Sequence, residues 1–165
     1  MVKYLLTLSA AFMISTAIGC GDDHDHDHHG EHSPNEEACE HMKDGPATAL
    51  SAGADAAGAT DTTHEAWEHK RVDLTLVASG DSFVGFVKYE AEAAGDYLFF
   101  VNNDAVLKVG GASAEATASV SECSEVGRAD TFELEVGEHV VEVTSSNETV
   151  QLVVEVSSGE GHDDH

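Results

Sequence analysis

This sequence has little positive charge. Lys and Arg together number 7 against 32 Asp and Glu, a formal net charge of −25. A polyanion of this density is repelled by nucleic acid and by anionic membrane surfaces, so neither is expected as a partner, and cations are drawn in instead. The familiar catalytic signatures are also missing. There is no Gly-x-Ser-x-Gly elbow, no His-Glu-x-x-His helix and no phosphate-binding loop. Gly110-Gly111 has no Lys after it, and nothing places a base beside the hydroxyls of Ser121-Glu122-Cys123-Ser124. The expectation is a chain that is not an enzyme. Beyond residue 20 no apolar run is long enough to cross a membrane as a helix, and no EF-hand spacing supports calcium.

What is there begins with MVKYLLTLSAAFMISTAIGC. Lys3 gives a positive start, Tyr4 to Ala17 form an apolar stretch of signal-peptide length, and small residues lead to Cys20. Ala17-Ile18-Gly19-Cys20 resembles the lipobox of bacterial lipoproteins, with Ala17 where that family prefers Leu. The resemblance implies a signal peptide over 1–19, acylation (palmitate) of Cys20, and a lipid-anchored protein of the cell envelope. It would sit on the inner or outer membrane and face the periplasm or the exterior. Two or more acyl chains give stable anchoring where one is marginal. Ala17-x-Gly19 also suits ordinary signal-peptide cleavage, and an uncleaved apolar anchor is the third reading.

The chain has three cysteines, Cys20, Cys39 and Cys123. With lipid on Cys20, an even number remains in an oxidising compartment, and a Cys39–Cys123 disulfide is expected. Closing so long a loop stabilises by on the order of 4 kcal/mol in the chain-entropy model. The alternative makes Cys39 a metal ligand beside His41 and Met42.

Directly after Cys20 comes GDDHDHDHHGEH, in which His24, His26, His28, His29 and His32 alternate with acids including Asp25 and Asp27. With no apolar residue the run cannot join a core, and 20–33 is read as a disordered tether. Neutral imidazole binds Zn(II), Ni(II) and Cu(II), and carboxylates add oxygen ligands. Several overlapping sites of modest affinity are expected, weakening as falling pH protonates the imidazoles. Residues 159–165 form a second acidic tail, with His162 and His165 as further candidate ligands. In composition both tracts resemble the His- and Asp-rich loops of periplasmic zinc-binding proteins and the His-rich tails of nickel chaperones. The bland alternative is a charged spacer, although a spacer has no need of histidine.

Ser33-Pro34-Asn35-Glu36 carries the marks of a helix start: a capping Ser, Pro at the first position and Glu completing a capping box. Lys43 and Gly45-Pro46 mark the end, so a helix is predicted over 34–43. Glu37 and His41 stand at i,i+4 and could share a metal ion, but are read first as an exposed helix pair. Residues 47–63 are either linker or an edge strand, with Thr48 to Ala52 the candidate. His64 and His69 flank Trp67, the single tryptophan, and are read as surface residues rather than as a metal pair. Trp67 itself is read as an anchor of core or rim.

Over 64–158 short alternating runs are broken by turn residues. Strands are expected around Val72–Leu76, Phe83–Tyr89, Tyr97–Val101, Ala105–Val109, Phe132–Val136, Val140–Val143 and Val150–Val156. About seven or eight strands without helical periodicity between them predict an all-β fold, a single antiparallel β-sandwich. Gly95-Asp96-Tyr97 and Gly137-Glu138-His139 resemble the Gly-x-Tyr strand starts of β-sandwich modules such as pre-peptidase C-terminal domains, with His139 read as structural. The whole chain is similar to uncharacterised bacterial lipoproteins that combine a His-rich segment, a short Glu-Ala-Cys-Glu-His helix (residues 37–41) and such a sandwich. The leading functional expectation is an envelope lipoprotein that buffers or sequesters a divalent transition metal, or hands it to a partner. The alternative is a non-enzymatic module that binds another envelope protein or a glycan.

Overall fold

The structure, a computed structural model, describes residues 33–67 and 69–157. The sequence predictions for Cys20, for the His/Asp run and for residues 159–165 lie outside them.

The described residues form a β-sandwich with one helix laid on its outside. Helix α1 (Pro34–Asp44) is capped as its sequence demands: the Ser33 side chain accepts from the Glu36 N–H, and the Glu36 carboxylate accepts from the Ser33 N–H. At its other end the Gly45 N–H donates to the carbonyls of Glu40 and His41. Strand β1 (Ala47–Ser51) follows, then β2 (Arg71–Thr75), β3 (Val77–Ser79), β4 (Ser82–Ala91), β5 (Gly95–Val101) and β6 (Val106–Val109). The chain continues through β7 (Ala112–Ser113), β8 (Ala116–Ser119), β9 (Arg128–Leu134), β10 (Gly137–Ser145) and β11 (Thr149–Val156). A six-stranded sheet runs β1-β2-β11-β5-β9-β8 and a five-stranded sheet runs β3-β4-β10-β6-β7. All neighbours pair antiparallel except β1 and β2, which are parallel.

The antiparallel sandwich expected from the alternating runs is present, and each expected run is a strand. The additional strands β1, β3, β7 and β8 are the four outer edges of the two sheets. Residues 47–51, left open between linker and strand, form β1.

Strand alternation sorts the side chains into two cores. Between the sheets lie Val72, Leu74, Val87, Tyr89, Tyr97, Phe99, Phe132, Val141, Val143, Val150 and Leu152. Tyr89 and Phe99 sit at the centre of a series of edge-to-face rings reaching Trp67, Tyr97 and Phe132, with centroids 5.3 to 5.7 Å apart. Trp67 is fully buried and its indole N–H donates to Thr62 Oγ1 at 2.7 Å. The second core lies on the outer face of the six-stranded sheet. There Ala38 and Met42 of α1 pack on Phe100, Val120, Val126, Ala129 and Val153. This explains why YLFFV is apolar on both faces: Phe99 points between the sheets and Phe100 points to the helix.

The Cys39–Cys123 disulfide is formed and joins α1 to the loop between β8 and β9, across 84 residues of sequence. This excludes Cys39 as a metal ligand in the oxidised chain. Arg71 adds a polar tie, donating from Nη1 to the Met42 carbonyl at 3.0 Å, and Asn35 donates to Glu122 at 3.0 Å.

Strand β4 passes close under the segment that follows β1. A Cβ on Gly85 would stand 2.4 Å from the Ala52 Cβ and 2.6 Å from Leu76 Cδ2. Gly85→Ala is therefore expected to lower the urea midpoint by overpacking, at a cost of about 1–3 kcal/mol. Val106→Ala, at a half-exposed site, should change it by less than about 0.5 kcal/mol.

Candidate metal centre

Four ionisable side chains converge where α1 crosses β11. Glu37 and His41 project from successive turns of α1, as i,i+4 spacing requires. Glu155 comes from β11, and by strand parity it shares the outer face with Val153 rather than the core face with Val154. His69 comes from the connection between Trp67 and β2. It is the only non-glycine with positive φ among the described residues, at 47°. That backbone conformation costs a non-glycine residue on the order of 1–3 kcal/mol, and here it accompanies an imidazole beside α1.

His41 Nε2 lies 3.7 Å from Glu37 Oε1 and 4.0 Å from Glu155 Oε1, and His69 Nδ1 lies 3.3 Å from Glu37 Oε1. The two imidazoles face each other with centroids 5.6 Å apart. One donor atom each from Glu37, His41 and His69 fit within 4.8 Å of one another. Zinc bound to N and O donors at about 2.0–2.1 Å in a tetrahedron separates them by about 3.3 Å. The spacings of 3.3 to 4.0 Å between neighbouring donors lie near that separation, with Glu155 reached through His41 rather than being a member of the three-residue set. Exposure grades across the group: the side chains are 9% exposed at Glu155, 17% at His41, 37% at Glu37 and 57% at His69. The buried floor is Glu155 and the open side is His69.

Polar bookkeeping inside this group does not close. His41 Nδ1, His41 Nε2 and Glu155 Oε1 are buried and have no hydrogen-bond partner among the described residues. Such orphaned groups each cost on the order of 1–3 kcal/mol, and buried polar atoms are nearly always satisfied. Burial, and next the nearby charge of Glu37, raise the Glu155 carboxyl pKa to about 8. The ion pairs of Glu37 and Glu155 among the described residues are all with the two histidines. A divalent cation between these groups would take a lone pair from His41 Nε2 and from Glu155 Oε1 and offset the repulsion of the two carboxylates. Two imidazole nitrogens and two carboxylate oxygens form a donor set suited to Zn(II), Ni(II) or Cu(II).

The residues singled out from sequence fare unequally. His24, Asp25, His26, Asp27, His28, His29, His32, His162 and His165 lie outside the described residues. Cys39 and Cys123 are joined to each other. Glu37 and His41, read first as an exposed pair, line a half-buried cluster. His69, read as surface, completes it, whereas His64 turns to Glu92, with Nδ1 3.4 Å from Oε1, at a separate surface hollow. His139 Nε2 lies 2.7 Å from the Glu135 carbonyl, a local contact. Glu155 was not singled out. Its signal was a carboxylate on a strand face that also carries Val153, beside Leu98 and Phe100 of the neighbouring strand. A face that apolar must be covered, and a glutamate under the cover needs a partner.

Comparisons with known proteins leave this geometry to speak for itself. No family model matches the chain, and no curated protein matches it. Among solved structures it is similar over part of its length to a selenomethionine-labelled β-glucosidase from Kluyveromyces marxianus, at 15% identity and a TM-score of 0.36. That match covers 48% of this chain and 11% of the other. The same enzyme in complex with glucose gives 12% identity and a TM-score of 0.33, over 53% of this chain and 13% of the other. The chain thus spans a small fraction of these structures, and likeness at this level carries no argument about activity.

The raised pKa of Glu155 has a consequence for the metal-free protein. Unfolded, this carboxyl loses its proton near its ordinary value of 4.5, whereas folded it holds the proton to about pH 8. Between those values the folded state binds more protons, so stability falls as pH rises. Glu155→Gln keeps the shape without the charge. In chelator-treated protein its urea stability should match wild type near pH 4 and exceed it above pH 8, by on the order of a few kcal/mol. Parallel curves from pH 4 to 9 would show that Glu155 is not held in a buried, charge-averse place.

Proposed function

We propose that the chain is a lipoprotein of the cell envelope, anchored through Cys20, whose sandwich holds one divalent transition-metal ion between Glu37, His41, His69 and Glu155. The observation that carries this reading is that His41 Nε2 and Glu155 Oε1, buried and without hydrogen bonds, face each other at 4.0 Å beside a second imidazole and a second carboxylate. The run from His24 to His32, with Asp25 and Asp27, supplies weaker sites next to it in sequence, and His162 and His165 extend the same chemistry to the other end. The protein buffers or sequesters metal near the membrane, or passes it to an envelope partner. The strong negative charge raises the local concentration of cations around both sets of ligands.

Titration calorimetry of Zn(II), Ni(II) and Cu(II) tests the assignment, using the chain from Gly21 onward, a version lacking residues 21–32 and the H41A/E155Q variant. One tighter ion should survive the deletion and weaken more than about tenfold in H41A/E155Q, a change of ~1.4 kcal/mol. The weaker ions should disappear with the run. Equal binding by wild type and H41A/E155Q would remove the structured site. No binding by any version would leave an interaction module on a charged tether. For the anchor, labelled palmitate fed to an expressing bacterium should be incorporated into the full-length protein, and Cys20→Ser should lose both the label and membrane retention.

A further inference from the structure

We propose that the Cys39–Cys123 disulfide controls the metal site, so that its reduction by a dithiol releases the ion. This rests on the metal-binding reading above.

The ligands and the cysteine alternate along one short helix: Glu37, Cys39, His41. At about 100° per residue, Cys39 lies roughly 200° around the helix from Glu37 and the two ligands lie within about 40° of each other. Ala38 and Met42, the fully buried residues of α1, fall in the sector between. The helix is therefore clamped along both flanks of its buried face. On one flank the disulfide ties it to Cys123. On the other, an ion would tie it to Glu155 of β11 and to His69.

An 11-residue helix is not stable in water by itself, so its geometry is set by these clamps and by the small apolar contact between them. Two members of that contact, Val120 and Val126, lie on the loop that carries Cys123. Reduction thus frees the helix and loosens part of the surface it packs on. What then remains is the Arg71 bond to Met42, the Asn35 bond to Glu122 and the contacts of Ala38 and Met42 with Phe100, Ala129 and Val153. Fraying of α1 separates Glu37 and His41 from Glu155 and His69. The new thiols do not rescue the site, because Cys39 lies on the flank away from the ligands.

Both cysteines are half-buried and border the exposed Ser121, Glu122 and Ser124, within reach of a small reductant. A thiolate of the dithiol attacks one sulfur and forms a mixed disulfide as the Cys39–Cys123 bond breaks. Its second thiol then displaces the protein. The protein gains two electrons and two protons as Cys39 and Cys123 thiols, and the reductant leaves as its own disulfide. Linkage makes the effect reciprocal: an ion that binds the oxidised form more tightly also protects the disulfide.

Two measurements test this on the chain from Gly21 onward. First, the zinc affinity of the tighter site is read by competition with a chromophoric chelator for the oxidised protein and for C39A/C123A. We expect a loss of about tenfold or more, and no further loss when C39A/C123A is added to H41A/E155Q. Second, the equilibrium between the wild-type disulfide and its dithiol in a glutathione redox buffer is read by thiol alkylation, with free zinc absent or held fixed by a metal buffer. Zinc should lower the equilibrium constant for reduction by about tenfold in wild type and leave it unchanged in H41A/E155Q. The second assay needs no cysteine variant, so it decides the matter even if C39A/C123A misfolds. Equal zinc affinities for folded oxidised and disulfide-free protein, or a reduction equilibrium indifferent to zinc while wild type binds it through His41 and Glu155, would overturn the coupling. If instead H41A/E155Q binds zinc like wild type, the site itself fails and not its control.

Discussion

The docking of α1 on the outer face of the six-stranded sheet is the contact on which the rest of the site depends. Eleven residues cannot hold a helix in water, and its buried face offers only Ala38 and Met42. Two buried side chains contribute a few kcal/mol at most, roughly 25 cal/mol for each Å² of apolar surface removed from water. A disulfide closing a long loop adds a comparable amount in the chain-entropy model, on the order of 4 kcal/mol. The covalent tie and the packing are therefore of similar weight, and neither is dispensable to the placement of Glu37 and His41. The sandwich itself is independent of this, since its core of aromatic and branched residues lies on the other side of the sheet.

Electrostatics makes this seam an unusual place. Under the helix the sheet presents Val153 and Phe100, which favour the cover, and Glu155, which opposes it. A carboxylate displaced from water needs a counter-charge or must keep its proton. Here the proton is kept to about pH 8, because burial and the Glu37 charge both act against ionisation. Protonation removes the charge but leaves Glu155 Oε1 without a hydrogen-bond partner, and it does nothing for the two nitrogens of His41. A single divalent cation would meet the Glu155 carboxylate and His41 Nε2 together, the two atoms that face each other at 4.0 Å.

Much of the fold was legible in the sequence, and the parts that were not share a physical cause. Strands with one face in the core announced themselves by alternation, as in Phe132-Glu133-Leu134 and Val141-Glu142-Val143. Of the four edge strands, β1 was a candidate, with Thr48 and Leu50 half-buried in alternation, and the other three did not announce themselves. β8 (Ala-Thr-Ala-Ser) is exposed throughout, β3 likewise, and β7 is only two residues long. With no buried face they carry no alternation, and their existence is imposed by the neighbouring strand. The helix was readable to within one residue at its end because capping chemistry is local. The candidate site was readable only in part. Glu37 and His41 share a helix face by spacing alone, but the partners that turn an ordinary i,i+4 pair into a half-buried cluster come from residues 69 and 155. Only the docking angle of α1 brings those together. Cysteine parity fixed one point of that docking, and one tether does not define which strand the opposite flank of a helix meets.

The chemistry of the two cysteines bears on what kind of metal site this can be. Thiolates hold structural zinc in closed sites whose ion contributes folding free energy outright. In this chain the cysteines nearest the cluster are consumed by each other, and the donors left are imidazole and carboxylate. These donors are graded in exposure from the buried Glu155 to the exposed His69. The core between the sheets lies on the other side of the six-stranded sheet from these donors. On the proposed reading the cation therefore stabilises only the seam between helix and sheet. An ion with so small a share in folding can leave without unfolding the domain, which is what separates a carrier or buffer from a structural zinc protein. The disulfide supplies from the other flank the rigidity that a structural metal would otherwise have provided.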